Sequence, residues 1–254
     1  MNIGICLRDT VPGIFWDRLS FAHRQGFTCV AFTPSKVLPH FEIEDAPLRL
    51  SAHLAEQVRW ALAIQDMYCA VLNCGLTLPS ESMDLEDSVE IYRAHLRFAR
   101  MIGAETVGVE IAPCAGTDEA AFDRLLSALT LLTRCAEAED SILALAMSPE
   151  GLVDTPERAM KVLAAAGSSR LRLLPDAGWL SALTGDISEN ALLDRICGLT
   201  LAPHDGPDVA PAPALRLALS HELPILLKEV EPQRAEAVRL ALERQARGAM
   251  AWAM

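Results

Sequence analysis

Eight short apolar runs recur along this chain at roughly even spacing, and that repeat constrains the fold more than any other feature of the sequence. They are "IGICL" (3–7), "FTCVAF" (27–32), "YCAVLN" (68–73), "ETVGVEI" (105–111), "SILALAM" (141–147), "RLRLL" (170–174), "ICGLTLA" (196–202) and "LPILLK" (223–228). Runs of this length with little polar alternation read as strands buried on both faces.

Several of the segments between them carry a helical period with its punctuation. In "DLEDSVEIYRAHLRFARMIG" the apolar series Leu85, Val89, Tyr92, Leu96, Ala99 steps by four and three, with Asp84 placed to cap the start and Gly103 to end it. In "GTDEAAFDRLLSALTLLTRCA" the stripe is Phe122, Leu125, Leu129, Leu132, Ala136; Thr117 is the expected cap, and Asp118 and Glu119 suit the positive end of the helix dipole. "DTPERAMKVLAAAG" offers Thr155 as cap, Pro156 at the first helical position and Gly167 past the end.

Strands of this kind alternating with helices imply a parallel sheet covered on both faces. Eight units in 254 residues fit a closed α/β architecture, a single-domain (β/α)8 TIM barrel over residues 1–254, better than an open sheet. Neither G-x-G-x-x-G nor G-x-x-x-x-G-K-[ST] follows any strand, which removes the usual nucleotide sites of open α/β folds. The Pro-rich "PHDGPDVAPAPA" (203–214) reads as a long strand-to-helix loop within the one domain.

Composition narrows the partners. The formal charge of −12, with no cluster of Lys and Arg, opposes binding to phosphate backbones, so no nucleic acid is expected. No charge-free apolar run is long enough for a membrane helix, and Arg8 and Asp9 interrupt the start before a secretory signal could form. Seven scattered cysteines without a C-x-x-C pair fit reduced thiols and a cytoplasmic location. Homo-oligomerisation is left open.

A barrel of this type carries its chemistry at the carboxyl ends of the strands. Those ends hold Arg8 and Asp9, Thr33, Ser35 and Lys36, Asn73, Glu110, Ser148 and Glu150, Asp176, His204 and Asp205, and Lys228 and Glu229. Most polar residues after strands are ordinary solvated loop positions. Asp176 in "LRLLPDAGWL" and Glu229 stand out because each closely follows an apolar strand, where an unpaired carboxylate is costly. Asp176 also has a plain reading, a turn in which its side chain bonds the backbone ahead of Gly178.

The succession "LRFARMIGAETVGVEIAP", "LALAMSPEGLVDTPERAMKVL", "LRLLPDAGWL", "LPILLKEVEP" resembles the xylose isomerase-like TIM-barrel superfamily, which includes sugar isomerases and epimerases, dehydratases and a DNA-repair endonuclease branch. The likeness runs over nearly the whole chain as a pattern rather than an invariant motif.

It implies one divalent metal (Mn, Mg or Zn) held by Glu after strand five, Asp or His after strand six, His at strand seven and Glu after strand eight. Asp176 and Glu229 fall on the sixth and eighth positions. Ala146 and Met147 stand in place of the strand-five Glu, and Leu201 or Ala202 in place of the His. Glu150 and His204 are the candidate substitutes. Glu110, at the end of strand four, is a further candidate base.

The implied activity is that of a sugar isomerase/epimerase-like protein acting on a small sugar, polyol or keto-acid by proton transfer through an enediolate. Glu229 is then the carboxylate and Lys228 the balancing charge. The alternative is a degenerate barrel that binds a polyol-like ligand or a partner protein without turnover. With Glu229 as a like-charged neighbour, Asp176→Ala is expected to cost little stability.

Overall fold

The eight runs form eight parallel strands in a computed structural model of the chain. The structure describes residues 1–7, 13–113, 118–181, 192–203 and 209–251. The strands are β1 (Ile3–Leu7), β2 (Cys29–Phe32), β3 (Tyr68–Leu78), β4 (Thr106–Ile111), β5 (Ile142–Met147), β6 (Leu171–Pro175), β7 (Leu199–Leu201) and β8 (Ile225–Leu227). They run in the order β6-β5-β4-β3-β2-β1-β8-β7. The remaining edge, between β6 and β7, is drawn together by the parallel bridges Leu173–Ile196 and Asp176–Thr200 and by the Cys197 amide donating to the Leu173 carbonyl at 3.0 Å. The architecture is a nearly closed (β/α)8 barrel.

The helices between the strands are α1 (Phe15–Arg24), α2 (Pro34–Val37), α3 (Ala46–Arg49), α4 (Ala52–Ile64), α5 (Leu85–Ile102), α6 (Glu119–Ala138), α7 (Pro156–Ala166), α8 (Ala177–Ser181), α9 (Ala212–Ser220) and α10 (Ala235–Ala251). The punctuation of α5 and α7 is as expected. Asp84 accepts from the Asp87 amide, Thr155 accepts from the Arg158 amide, and Gly103 and Gly167 take the left-handed conformation past the last turns. In α6 the cap is Asp118, which accepts from the Ala121 amide at 2.9 Å, and the expected cap Thr117 lies outside the described residues.

Alternation along the strands sorts their side chains into two cores. Ile3, Ile5 and Leu7, with Val107 and Val109, Leu143 and Leu145, and Ile225 and Leu227, point outward and join the helices in the larger core. The opposite series meets inside the barrel: Cys29 and Ala31, Val71, Ala144, Leu174 and Leu226, with Cys6 and Cys197 against them. This lumen is filled by alanines and thiols around the aliphatic side chains of Val71, Leu174 and Leu226. Gly4 is required there, because a Cβ would stand 2.6 Å from Cys29 Sγ and 2.8 Å from Leu226 Cδ2.

Following the inward series one step past the lumen leads to the mouth. After Gly108 it reaches Glu110, after Leu174 it reaches Asp176, and after Leu226 it reaches Lys228.

Candidate active site

Asp176 proves to be both a turn and a charged group at the mouth. Its Oδ1 accepts the Gly178 amide at 2.7 Å, the bond expected of a turn, and Gly178 is needed because a Cβ there would lie 2.9 Å from that oxygen. Its Oδ2 lies 2.8 Å from Lys228 Nζ across the closing seam of the barrel, with 17% and 24% of the respective side chains exposed. The neighbour that answers Asp176 is therefore an ammonium and not the carboxylate of Glu229. Glu229 is exposed, with a left-handed φ of 60° where the chain leaves β8.

The other sequence candidates scatter. Glu150 is exposed in the turn after β5. Ala146, the inward residue near the end of β5, pairs with Leu174 and offers no donor. His204, like Arg8, Asp9 and Asp205, lies outside the described residues.

A divalent ion is poorly matched by these groups. Among the described residues no three His, Cys, Asp or Glu side chains come together as a metal site. The matched carboxylate, Asp176, already spends one oxygen on an internal cation and the other on a backbone amide. A hard cation wants several fixed oxygens or imidazoles with charge to spare. The described donor set does not supply them.

The described residues leave a space in the other half of the mouth. A cavity of about 280 Å³ is lined by Cys6, Leu7, Ala31, Thr33, Lys36, Asn73, Gly75 and Glu110. The sequence puts Thr33, Lys36, Asn73 and Glu110 at strand ends, with Asn73 and Glu110 on one shared face, without giving the four a common cavity. The structure does so through an irregularity in β3. Asn73 pairs with Gly108 and Thr77 with Glu110, so three residues of β3 intervene where β4 has one.

Such a bulge re-aims side chains and leaves backbone groups without ladder partners. Here buried side chains of α5 meet it. The Tyr92 hydroxyl donates to the Leu76 carbonyl at 2.7 Å. His95, wholly buried, bonds the Ile91 carbonyl through Nδ1 at 2.8 Å and lies 3.6 Å from Cys74 Sγ. Burial drives its pKa down to about 4, so the ring is neutral, and it pushes the Tyr92 hydroxyl and the Cys74 thiol up.

Two glycines complete the cavity. A Cβ on Gly108 would sit 2.2 Å from Asn73 Oδ1, so that amide occupies the space a side chain would take. Gly75, at φ +85°, packs its backbone on the Thr33 methyl group, 2.6 Å from where a Cβ would be. Those glycines, two residues from Glu110 and Asn73, were the sequence signal for this cavity.

A model of the xylose isomerase-like TIM barrel family matches residues 19–221. The chain belongs to this family. Curated proteins yield no match to the sequence. Among solved structures, 3-keto-D-glucoside 4-epimerase from E. coli superposes with a TM-score of 0.76 at 11% identity, over 96% of this chain and 99% of the other. L-Ribulose 3-epimerase superposes with a TM-score of 0.74 at 14% identity, over 100% and 99%. A probable 3-DHS dehydratase from Bacillus anthracis gives 0.74 at 12% identity, over 96% and 99%. At such identities the likeness establishes the fold. Among the described residues no helix is long and apolar enough to cross a membrane.

Proposed function

We propose that this barrel is a sugar isomerase/epimerase-like enzyme that acts on a small sugar, polyol or keto-acid by moving a proton next to a carbonyl. The observation that carries this reading is the polar cavity at the carboxyl ends of β1–β4, where a carboxylate and an ammonium line one space. At about 280 Å³ it lies near the lower end of ligand pockets and suits a small polyhydroxylated molecule. Similarity in fold to an L-ribulose 3-epimerase and a 3-keto-D-glucoside 4-epimerase favours a carbohydrate over other small ligands.

The chemistry asked of the site is modest. A carboxylate removes the C–H proton beside a carbonyl, the electron pair moves onto the carbonyl oxygen, and a nearby cation holds the resulting enediolate. Lys228 is the candidate cation on the β8 side, where its ion pair with Asp176 fixes its direction. Glu229, at the edge of the same loop, is a candidate acid that would have to turn inward from its exposed position.

Incubation of the protein with a panel of ketoses, aldoses and keto-acids, followed by NMR of the mixture, tests the reading. Interconversion of at least one pair supports it. Ligand-dependent thermal stabilisation without any conversion supports instead a non-catalytic polyol-binding barrel, which the Ala146 position and the internal Lys228–Asp176 pair favour.

A further inference from the structure

We propose that Glu110, on the β4 side of the mouth, is the carboxylate that moves the proton, and that Asn73 and Lys36 hold the oxygens of the substrate around it. This rests on the carbohydrate reading above and shifts its reacting centre away from β6 and β8, where the family resemblance placed it.

Three observations converge on Glu110. It belongs to the inward series of β4, is half-buried and lines the cavity. Among the described residues it forms no ion pair, whereas both carboxylate oxygens of Asp176 are already engaged, one by Lys228 and the other by the Gly178 amide. The surrounding chain departs from regular structure to put Glu110 and Asn73 on the same space. β3 bulges, Gly108 yields its side-chain volume to the Asn73 amide, and the buried Tyr92 hydroxyl takes up a carbonyl within the bulge. A bulge that served packing alone would not need an amide oxygen lodged against a glycine two residues before an acid.

The step balances without a further reactant. Glu110 takes the proton from the carbon beside the carbonyl, and the C–H electron pair forms the enediolate double bond while the carbonyl pair moves onto oxygen. The Asn73 amide N–H and the Lys36 ammonium donate to the enediolate oxygens. Glu110 then returns its proton to one of two carbons. Return to the carbon it came from is the exchange read in D2O; delivery to the former carbonyl carbon, while the remaining hydroxyl proton passes to the first oxygen, isomerises the substrate. Substrates are hydroxyketones or hydroxyaldehydes small enough for the cavity.

Deuterium wash-in tests this. Wild-type protein in D2O with dihydroxyacetone, D-psicose and L-ribulose should place deuterium on the carbon beside the carbonyl of at least one of them, read by NMR. Glu110→Gln should slow that exchange by about 10²–10⁴-fold, the range for loss of a general base. Glu110→Asp, which keeps the carboxylate and withdraws it by one methylene, should retain part of the rate, and this covers the case in which Glu110→Gln fails to fold. Gly108→Ala, which drives Asn73 from its seat, should lower kcat more than it raises KM, because the enediolate loses a donor. Glu137→Gln, on the exposed face of α6, should match wild type.

Wild-type exchange that persists in Glu110→Gln overturns the assignment while leaving the carbohydrate reading intact. No exchange by wild type on any of the three overturns both.

Discussion

Replacing Asp176 by alanine is expected to destabilise the barrel, the reverse of what the sequence predicts from a carboxylate beside Glu229. The structure gives Asp176 two partners, Lys228 Nζ at 2.8 Å and the Gly178 amide at 2.7 Å. At that separation and an effective dielectric of about 20, the attraction to Lys228 is about 6 kcal/mol before desolvation. Both side chains are about four-fifths covered, so burial removes most of that gain, and a net coupling of about 1–2 kcal/mol is the reasonable remainder.

Asp176→Asn keeps an oxygen for the Gly178 amide and should cost about that coupling. Asp176→Ala also loses the turn bond and should cost about 2–3 kcal/mol. For a chain of this size each kcal/mol lowers Tm by roughly 2–4 °C. Urea unfolding of Asp176→Asn, Asp176→Ala, Lys228→Met and the double variant Asp176→Ala/Lys228→Met closes the cycle. An Asp176→Ala protein as stable as wild type, or a cycle with no coupling, would refute the reasoning.

The remaining predictions concern the rest of the fold. His95 is neutral in the folded protein, with a pKa of about 4 against an ordinary value near 6.5. Because the unfolded chain takes up the extra proton, stability is complete above about pH 6.5 and is lost as pH falls toward 4, by up to about 3 kcal/mol; His95→Leu should flatten that part of the pH–stability profile relative to wild type. Gly4→Ala should cost about 1–3 kcal/mol, since the new methyl group meets the Cys29 carbonyl at 2.8 Å as well as its sulfur, and thermal unfolding measures it. No disulfide links the described cysteines, and thiol titration of unfolded, unreduced protein should recover all of them together with Cys114, which lies outside the described residues. In the native state Cys6, at the cavity, should react ahead of the fully buried Cys29 and Cys74.

The scaffold was legible because its signals are local. Asp84 and Gly103 bound α5, and Thr155, Pro156 and Gly167 bound α7, since caps and helix stops act within a few residues of chain. The third apolar run ends at Asn73, yet the strand continues to Leu78. Cys74 and Leu76 within the bulge and Leu78 after it remain buried, and a bulge interrupts the pairing that a sequence pattern relies on.

The site was legible only as a set of strand ends. Alternation places Asp176 and Lys228 on the inward face, but their pairing joins the end of β6 to the end of β8 across the β6–β7 seam, which no spacing within one element encodes. The cavity around Glu110 likewise depends on two glycines whose missing side chains matter only once β2, β3 and β4 stand side by side.

The most direct test of the account is calorimetric titration of the metal-free protein with Mn²⁺, Mg²⁺ and Zn²⁺, in wild type and in Asp176→Ala. The account holds that at the mouth Lys228, rather than a divalent ion, answers the Asp176 carboxylate, and that β5 offers Ala146 where a ligand would be needed. It predicts no tight stoichiometric binding to either protein. One equivalent bound tightly by wild type and lost in Asp176→Ala would contradict it, and would return the reacting centre to the side of the barrel formed by β6 and β8.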